Sequence, residues 1–295
     1  MADTVGFIGL GAMGKPMAVN LRKHGVPVVV HNRSHPAERA LVEAGASVAT
    51  SPAAVASLCQ TIVLMLPDAP DVAQVLEGQS GLLDALQPGT VVVDSSTIAP
   101  AAAVRFAAIV AERGGAYLDA PVSGGEIGAV DGTLTFMVGG DREALARVRP
   151  LLSHMGREDR IVHVGPSGSG QICKVCNQLV IGGTMVAVAE ALALARKSGV
   201  DGAKVRQALL GGFAASRVLE VHGERMLAGN YVPGFKARLY RKDMRIVVEA
   251  LAEHGVAAPS TALVQQLVHA QLTAGGGEDD YSGIAKTIFH LAGLD

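Results

Sequence analysis

Apolar and polar positions divide this 295-residue chain into two stretches with different periods. Up to about residue 165, short apolar runs alternate with segments of helical spacing. The runs are Val5–Leu10 (VGFIGL), Val26–His31 (VPVVVH), Ser47–Ala49, Thr61–Leu66 (TIVLML), Thr90–Ser95 (TVVVDS), Ala116–Ala120 (AYLDA), Leu134–Val138 and Arg160–Val164. They read as strands, and strands alternating with helices predict a parallel, doubly wound sheet. Beyond Gly170 no strand run stands out, and Gly and Pro punctuate helical spacing over 171–198, 201–210, 215–228, 239–254, 259–274 and 281–292. The predicted fold class is α/β: a doubly wound domain over 1–165, then an all-α domain over 166–295, joined by a long helix.

That helix holds one odd residue. From Gln171 to Ala195 the chain reads QICKVCNQLVIGGTMVAVAEALALA, with formal charge only at Lys174 and Glu190. As a helix it is roughly 37 Å long and apolar nearly all round, which predicts burial. A lysine there has a partner or a task, or it snorkels its ammonium to water. At about 100° per residue, Lys174, Asn177, Gln178 and Ile181 share one arc, with Lys174 and Asn177 side by side. The preceding GPSGSG, Gly165 to Gly170, would let a substrate or cofactor approach the helix start closely.

Composition narrows the class. With 49% hydrophobic and 18% charged residues and a formal net charge of −2, the chain reads as soluble and globular. No basic block is present, which argues against a nucleic-acid platform. Polar residues Lys174, Asn177 and Gln178 break the one long apolar segment, so no membrane span is expected. No basic leader precedes the first strand, and a cytoplasmic protein is expected. Cys59, Cys173 and Cys176 cannot build a disulfide framework. The Cys173–Cys176 pair has no second pair or nearby histidines to complete a zinc site, so the thiols are expected to be buried and inert, with no metal.

The first strand runs into Gly9-x-Gly11-x-x-Gly14, and the helical segment after it stops at Gly25. GxGxxG alone is weak; inside a βαβ unit it is the dinucleotide fingerprint of a Rossmann domain. Gly9 permits the tight turn, Gly11 lets a pyrophosphate reach the backbone, and Gly14 allows close helix–strand packing. Leu10, Ala12 and Met13 complete the loop, and the anion rests on the helix's positive end. An acid at the end of the second strand would bond the ribose 2′-hydroxyl of NAD. Here the residues are His31-Asn32-Arg33-Ser34, with Asn32 in the acid's place and Arg33 able to pair with a 2′-phosphate. NADP(H) is therefore expected to be preferred, with NAD(H) as the alternative.

Ligands of doubly wound sheets bind beyond the carboxyl ends of the strands. That rule groups Leu66-Pro67-Asp68, Ser95-Ser96-Thr97 and the segment after Asp119. Ser95 and Ser96 fit ordinary strand-end turn chemistry as well. Asp119 to Gly125 reads DAPVSGG. Ser123, Gly124 and Gly125 offer a hydroxyl and open backbone N–H groups that suit a small carboxylate, or they form a plain turn.

GFIGLGAMGKPMAVNL, DAPVSGG, GSGQICKVCN and the Arg241-Lys242-Asp243 segment follow one another in order. With this set the chain resembles the β-hydroxyacid dehydrogenase family along its whole length. The resemblance implies hydride transfer between a nicotinamide cofactor and a small carboxylate substrate, a β-hydroxy acid or its semialdehyde. It implies that Lys174 protonates the carbonyl oxygen, that Asn177 orients the substrate, and that Ser123, Gly124 and Gly125 hold its carboxylate. Leu66 and Pro67 would line the cofactor, Thr97 would lie near the nicotinamide ribose, and Lys242 would close over the nicotinamide. Asn32 departs from the Asp that related members often carry. Imine reductases share the fold and a similar cofactor motif but replace the family lysine, which this chain retains. A non-catalytic dinucleotide module would also lose it. The apolar long helix and the alanine-rich second domain predict a homodimer or homotetramer.

Overall fold

The computed structural model describes residues 4–34 and 36–294. Its strands are β1 (Val5–Ile8), β2 (Val28–His31), β3 (Ser47–Val48), β4 (Thr61–Leu64), β5 (Val91–Asp94), β6 (Ala116–Asp119), β7 (Val122–Ser123), β8 (Leu134–Gly139) and β9 (Gly156–Gly165). Between them lie helices α1 (Gly14–Lys23), α2 (Pro36–Glu43), α3 (Pro52–Leu58), α4 (Ala69–Glu77), α5 (Pro100–Ala111), α6 (Gly125–Asp131) and α7 (Arg142–Leu152). The long helix α8 (Ser169–Lys197) follows, then α9 (Gly202–Leu210), α10 (Arg217–Ala228), α11 (Ala237–Glu253), α12 (Pro259–Thr273) and α13 (Ile284–Leu291).

The sheet runs β3-β2-β1-β4-β5-β6-β8-β7, with β9 on β8. Strands β1 to β6 are parallel, as the alternation of runs predicts. The far side departs from the all-parallel expectation: β8 is antiparallel to β6 and to β7, and β9 is parallel to β8. β6 and β7 lie in one line along β8, Asp119 opposite Gly139, Val122 opposite Phe136 and Ser123 opposite Thr135, and the chain reverses only through α6, so β8 returns antiparallel to both. The order reverses between β1 and β4, the switch point beside which such sheets bind ligands.

Both faces of the parallel strands are covered, which explains their near-continuous apolar runs. Phe7, Val30, Val63, Val93 and Leu118 pack on one face with Met17 and Leu21 of α1. Ile8, Val29, Ile62, Leu64 and Val92 pack on the other with Val55, Leu76 and Phe106. A separate core of Met185, Ala189, Leu192, Tyr240, Val247, Val264 and Ile288 holds the helices after α8's first turns. Compact units cover Met1–Lys174 and Val175–Asp295, so α8 starts in the first and continues into the second.

The expectation that α8 is buried all round is corrected. It is long and apolar enough to cross a membrane by length and composition, yet only half of its most apolar window is buried. Val180 is 62% and Leu194 68% exposed. One side of α8 packs into the second core while these residues face outward, so apolar composition alone overstated its burial.

Candidate active site

At the dinucleotide end, the backbone of Gly14 lies so close to the Gly9 carbonyl that a Cβ at Gly14 would collide with it. Gly9 has φ +96°, and its own Cβ would strike the Met65 carbonyl. The two glycines thus seat α1 against β1 and β4. A Cβ at Gly11 would meet nothing within 4 Å, and no side chain caps the start of α1. Exposed backbone at a positive helix end with open space in front suits a pyrophosphate, so the residues present fit the dinucleotide.

Asn32 follows β2 and braces this loop. Its Oδ1 accepts the Leu10 N–H at 2.9 Å, and its Nδ2 donates to the carbonyl and the hydroxyl of Ser34 at 2.8 and 2.9 Å. The strand end is not free of carboxylates, as the linear sequence suggested. Glu38 of α2, 5% exposed, accepts the Asn32 N–H at 3.0 Å. That carboxylate faces inward onto backbone. Arg33 faces the other way, 93% exposed, with its guanidinium 3.8 Å from Asp71. Leu66 after β4 is half-buried and donates its N–H to the Ser96 hydroxyl at 2.8 Å; Pro67 is exposed, and Thr97 is half-buried beyond β5.

Lys174 does not snorkel. It is 8% exposed, and its Nζ donates to the Val122 carbonyl at 2.7 Å. Val122 opens the turn that carries Ser123, Gly124 and Gly125. Gly124 and Gly125 have φ +134° and +62°, conformations that favour glycine, and a Cβ at Gly125 would meet open space. The turn runs directly into α6, which Asn20 of α1 holds by an Nδ2 bond to the Ala129 carbonyl at 2.8 Å. One cation therefore sits on the carbonyl that precedes Ser123 and the exposed glycine backbone, all within the first unit.

Gly170 in the first turn of α8 and Gly139 at the end of β8 make room for the protein's own backbone. A Cβ at Gly170 would collide with the carbonyls of Asp119 and Met137, and one at Gly139 would lie 2.6 Å from Asp119 Oδ1. They let the helix start press onto the ends of β6 and β8. There Asp119 accepts the Gly168 and Gln171 N–H groups at 2.7 and 2.9 Å. Burial pushes the Asp119 carboxyl above its usual range, against these backbone donors.

Asp94 ends β5 in register with Asp119. It is fully buried, accepting the Ser96 N–H at 2.9 Å and the Tyr117 hydroxyl at 2.6 Å. Burial pushes its pKa up to about 6, with the Asp119 charge adding to the rise and the Ser96 and Tyr117 bonds opposing it. A folded-state pKa above the unfolded value makes the contribution fully present below about pH 4 and lost as pH rises through about 6. A carboxyl moved from 3.8 to about 6 implies a loss of about 3 kcal/mol over that window. In Asp94→Asn the amide still accepts from Ser96, and Tyr117 accepts in turn. Chemical unfolding from about pH 4.5 to 7.5 is expected to lose that slope in the variant. Identical slopes in both proteins would contradict the assignment.

In the second unit, Asn177 donates to Gln178 Oε1 at 2.8 Å, and Gln178 donates to Asp243 Oδ2. Lys242 of α11 is ion-paired with Asp243 Oδ1 at 2.9 Å, and Asp243 is 3% exposed. Tyr240 donates to the Gln178 carbonyl at 3.2 Å. Two predicted residues, Asn177 and Lys242, are thus joined through two that the sequence reading left without a role.

Comparison with known proteins fits this arrangement. The profile of the NAD-binding domain of 6-phosphogluconate dehydrogenase matches residues 4–165. That of the NAD-binding domain of NADP-dependent 3-hydroxyisobutyrate dehydrogenase matches residues 168–288. The 2-hydroxy-3-oxopropionate reductase of Escherichia coli K12 is 44% identical over 288 residues, covering 98% of each chain. The chain belongs to the β-hydroxyacid dehydrogenase family. Among solved structures, Mycobacterium tuberculosis 3-hydroxyisobutyrate dehydrogenase with L-serine superposes with a TM-score of 0.87 at 32% identity, covering 98% of this chain and 99% of that one. Psf3 in complex with NADP+ and 2-OPP gives 0.87 at 28% identity, covering 96% and 99%. As a member of this family the protein is an oxidoreductase that uses a nicotinamide cofactor.

Within this dehydrogenase, the structure brings Lys174 to the Ser123–Gly125 turn and Asn32 to the glycine loop. The residues missed are Asp94, Asp119 and Gln171, which with Ser96, grouped at the strand ends from the sequence, are fully buried polar groups. Polar residues closing an apolar strand were the available signal. The cysteines need a correction: Cys59 is buried, but Cys173 is half-buried and Cys176 exposed. Cys176 lies on a side of α8 that the described residues leave exposed. Among the described residues, no group of three or more His, Cys, Asp or Glu could hold a metal ion.

Proposed function

We propose that this enzyme reduces tartronate semialdehyde to glycerate with NADPH, reversibly, and that Lys174 is the proton donor. Bound NADPH would supply the hydride to the aldehyde carbon, and the Lys174 ammonium gives the carbonyl oxygen its proton. The observation that carries this reading is the buried Lys174 ammonium held on the Val122 carbonyl, next to Ser123-Gly124-Gly125. A carboxylate accepted by that turn presents its own β-carbon to the ammonium. Asn177, one turn further along α8, serves as the substrate-orienting amide, and Lys242 as the cation that meets the nicotinamide end. The 44% identity to 2-hydroxy-3-oxopropionate reductase supports tartronate semialdehyde over methylmalonate semialdehyde, the aldehyde of 3-hydroxyisobutyrate. The two substrates differ by a hydroxyl against a methyl, a contrast a site senses only where it offers the hydroxyl a partner.

The outward-facing, weakly tethered Arg33 supports NADPH, as does the NADP+ complex of Psf3. Arg33→Ala is expected to raise KM for NADPH about tenfold and to leave that for NADH within about twofold. The deciding experiment is kcat/KM for tartronate, methylmalonate and succinate semialdehydes with each cofactor. The highest value is expected for tartronate semialdehyde with NADPH. A higher value with methylmalonate semialdehyde would transfer the assignment to a 3-hydroxyisobutyrate dehydrogenase, and a higher value with NADH would overturn the cofactor reading.

A further inference from the structure

One side chain links the two strand ends beside the proposed reaction centre. Gln171 is fully buried in the first turn of α8, and its N–H donates to Asp119 at 2.9 Å. Its side chain reaches the segment after β5: Nε2 donates to the Ser96 carbonyl at 2.8 Å, and Oε1 accepts the Ile98 N–H at 3.2 Å. Thr97 lies between those two contacts. The Ser96 hydroxyl in turn accepts the Leu66 N–H at 2.8 Å. Lys174 stands three residues after Gln171 on the same helix, about one turn away.

We propose that Gln171 is a positioning residue of the reductase reaction, clasping the Ser96–Ile98 backbone so that Lys174 is fixed relative to Leu66 and Thr97 on the cofactor side. This rests on the reading of Lys174 as proton donor. A primary amide is the group the place requires. It offers one donor to a carbonyl and one acceptor to an N–H, and it adds no charge where charge is costly. The titratable groups around it are Asp94 and Asp119 at the ends of β5 and β6, Tyr117 on β6 and Lys174 on α8. Small displacements of a reacting group are enough to slow a reaction about a hundredfold, so a clasp of this kind acts on kcat more than on binding.

Gln171→Glu separates positioning from bulk structure. As a neutral acid the new side chain has the same donor and acceptor as the amide. Once ionised it has no donor for the Ser96 carbonyl, and it stands as an anion near Asp94 and Asp119. The clasp is therefore intact below its pKa and broken above. The ratio of variant to wild-type kcat, per NADPH-binding site, is expected to be within about threefold at about pH 5.5 and to fall about tenfold or more by about pH 8.5. Gln171→Met, which lacks both bonds, is expected to lose about tenfold or more in kcat at every pH, with NADPH Kd and semialdehyde KM within about threefold. A flat ratio near one for both variants would overturn the proposal. So would a Gln171→Met protein that loses NADPH binding or the fold instead of kcat, since Gln171 would then be only a structural prop. Lys174→Ala is measured alongside. If it keeps near-full kcat, the reading of the reaction fails; if it loses activity while both Gln171 variants stay normal, only the clasp fails.

Discussion

Lys174→Ala is expected to lower kcat for semialdehyde reduction by about a thousandfold, with kcat/KM falling equally and NADPH Kd within about threefold. The size follows from what the side chain does. A positioned general acid contributes about 10² to 10⁴ in rate. Here the acid is 8% exposed and held at 2.7 Å on the Val122 carbonyl, so no solvent molecule substitutes for it in the same place. NADPH binding is spared because the glycine loop, Asn32 and Arg33 make no bond to Lys174. Lys174→Arg keeps the charge but spreads it over a planar fork that releases its proton far less readily, so its kcat is expected to fall as well. Steady-state kinetics with NADPH and tartronate semialdehyde, together with cofactor fluorescence titration, reads both quantities. A variant with kcat within a few-fold of wild type would remove Lys174 from the chemistry.

The largest expected loss of stability comes from Gly170→Ala. The added methyl would collide with the carbonyls of Asp119 and Met137 and lie 2.9 Å from Asp119 Oδ2. These are backbone atoms at the ends of β6 and β8, which cannot swing aside as a side chain would. The start of α8 must lift off the sheet instead, and the bonds from Gly168 and Gln171 to the buried Asp119 carboxylate stretch or break. Overpacking costs about 1–3 kcal/mol, and weakening bonds to a buried charge adds about 1.5–3 kcal/mol. A destabilisation of about 3–5 kcal/mol is expected, a fall in Tm on the order of 10 °C for a unit of this size. Calorimetry checks it, and a Tm within about 2 °C of wild type would show that the contact yields.

The parallel half of the sheet was legible because its strands are covered on both faces, so VGFI, TIVL and VVVD read as apolar runs without alternation. On the far side the runs Leu134–Val138 and Arg160–Val164 mark β8 and the end of β9, but the direction of β8, the strand β7 and the start of β9 were not legible. β7 has only two residues, and its strand character comes from pairing with Thr135 and Phe136 of β8. β9 begins with GREDR, exposed after its first residue, so the start of that strand carries no apolar signal. Direction is set by pairing, which local sequence does not encode.

The site divides in the same way. The glycine loop, Lys174 and the Ser123–Gly125 turn are local motifs whose chemistry lies in adjacent residues. The Asp94–Ser96–Gln171–Asp119 network joins positions up to 75 residues apart; its strand-end members by themselves resemble turn chemistry, and Gln171 by itself is one polar residue at a helix start. Asn32 is expected as a cofactor contact from its place after β2; its side chain also holds the Leu10 N–H and so braces the glycine loop, a bond that spans 22 residues and that local sequence does not show. Gly170 was read as clearance for a ligand, and the clearance is used by the protein's own backbone. Apolar surroundings in the sequence predict buried thiols, but composition does not tell which sides of a long helix are covered, and Cys176 is exposed.

Proton donation by Lys174 is the step on which the proposed reaction depends. The measurement is kcat/KM for NADPH-dependent reduction as a function of pH, in wild type and in Lys174→Ala. Wild type should fall at high pH as one group loses its proton, and that limb should be absent from the low residual activity of the variant. The same limb in both proteins would mean that another group donates the proton.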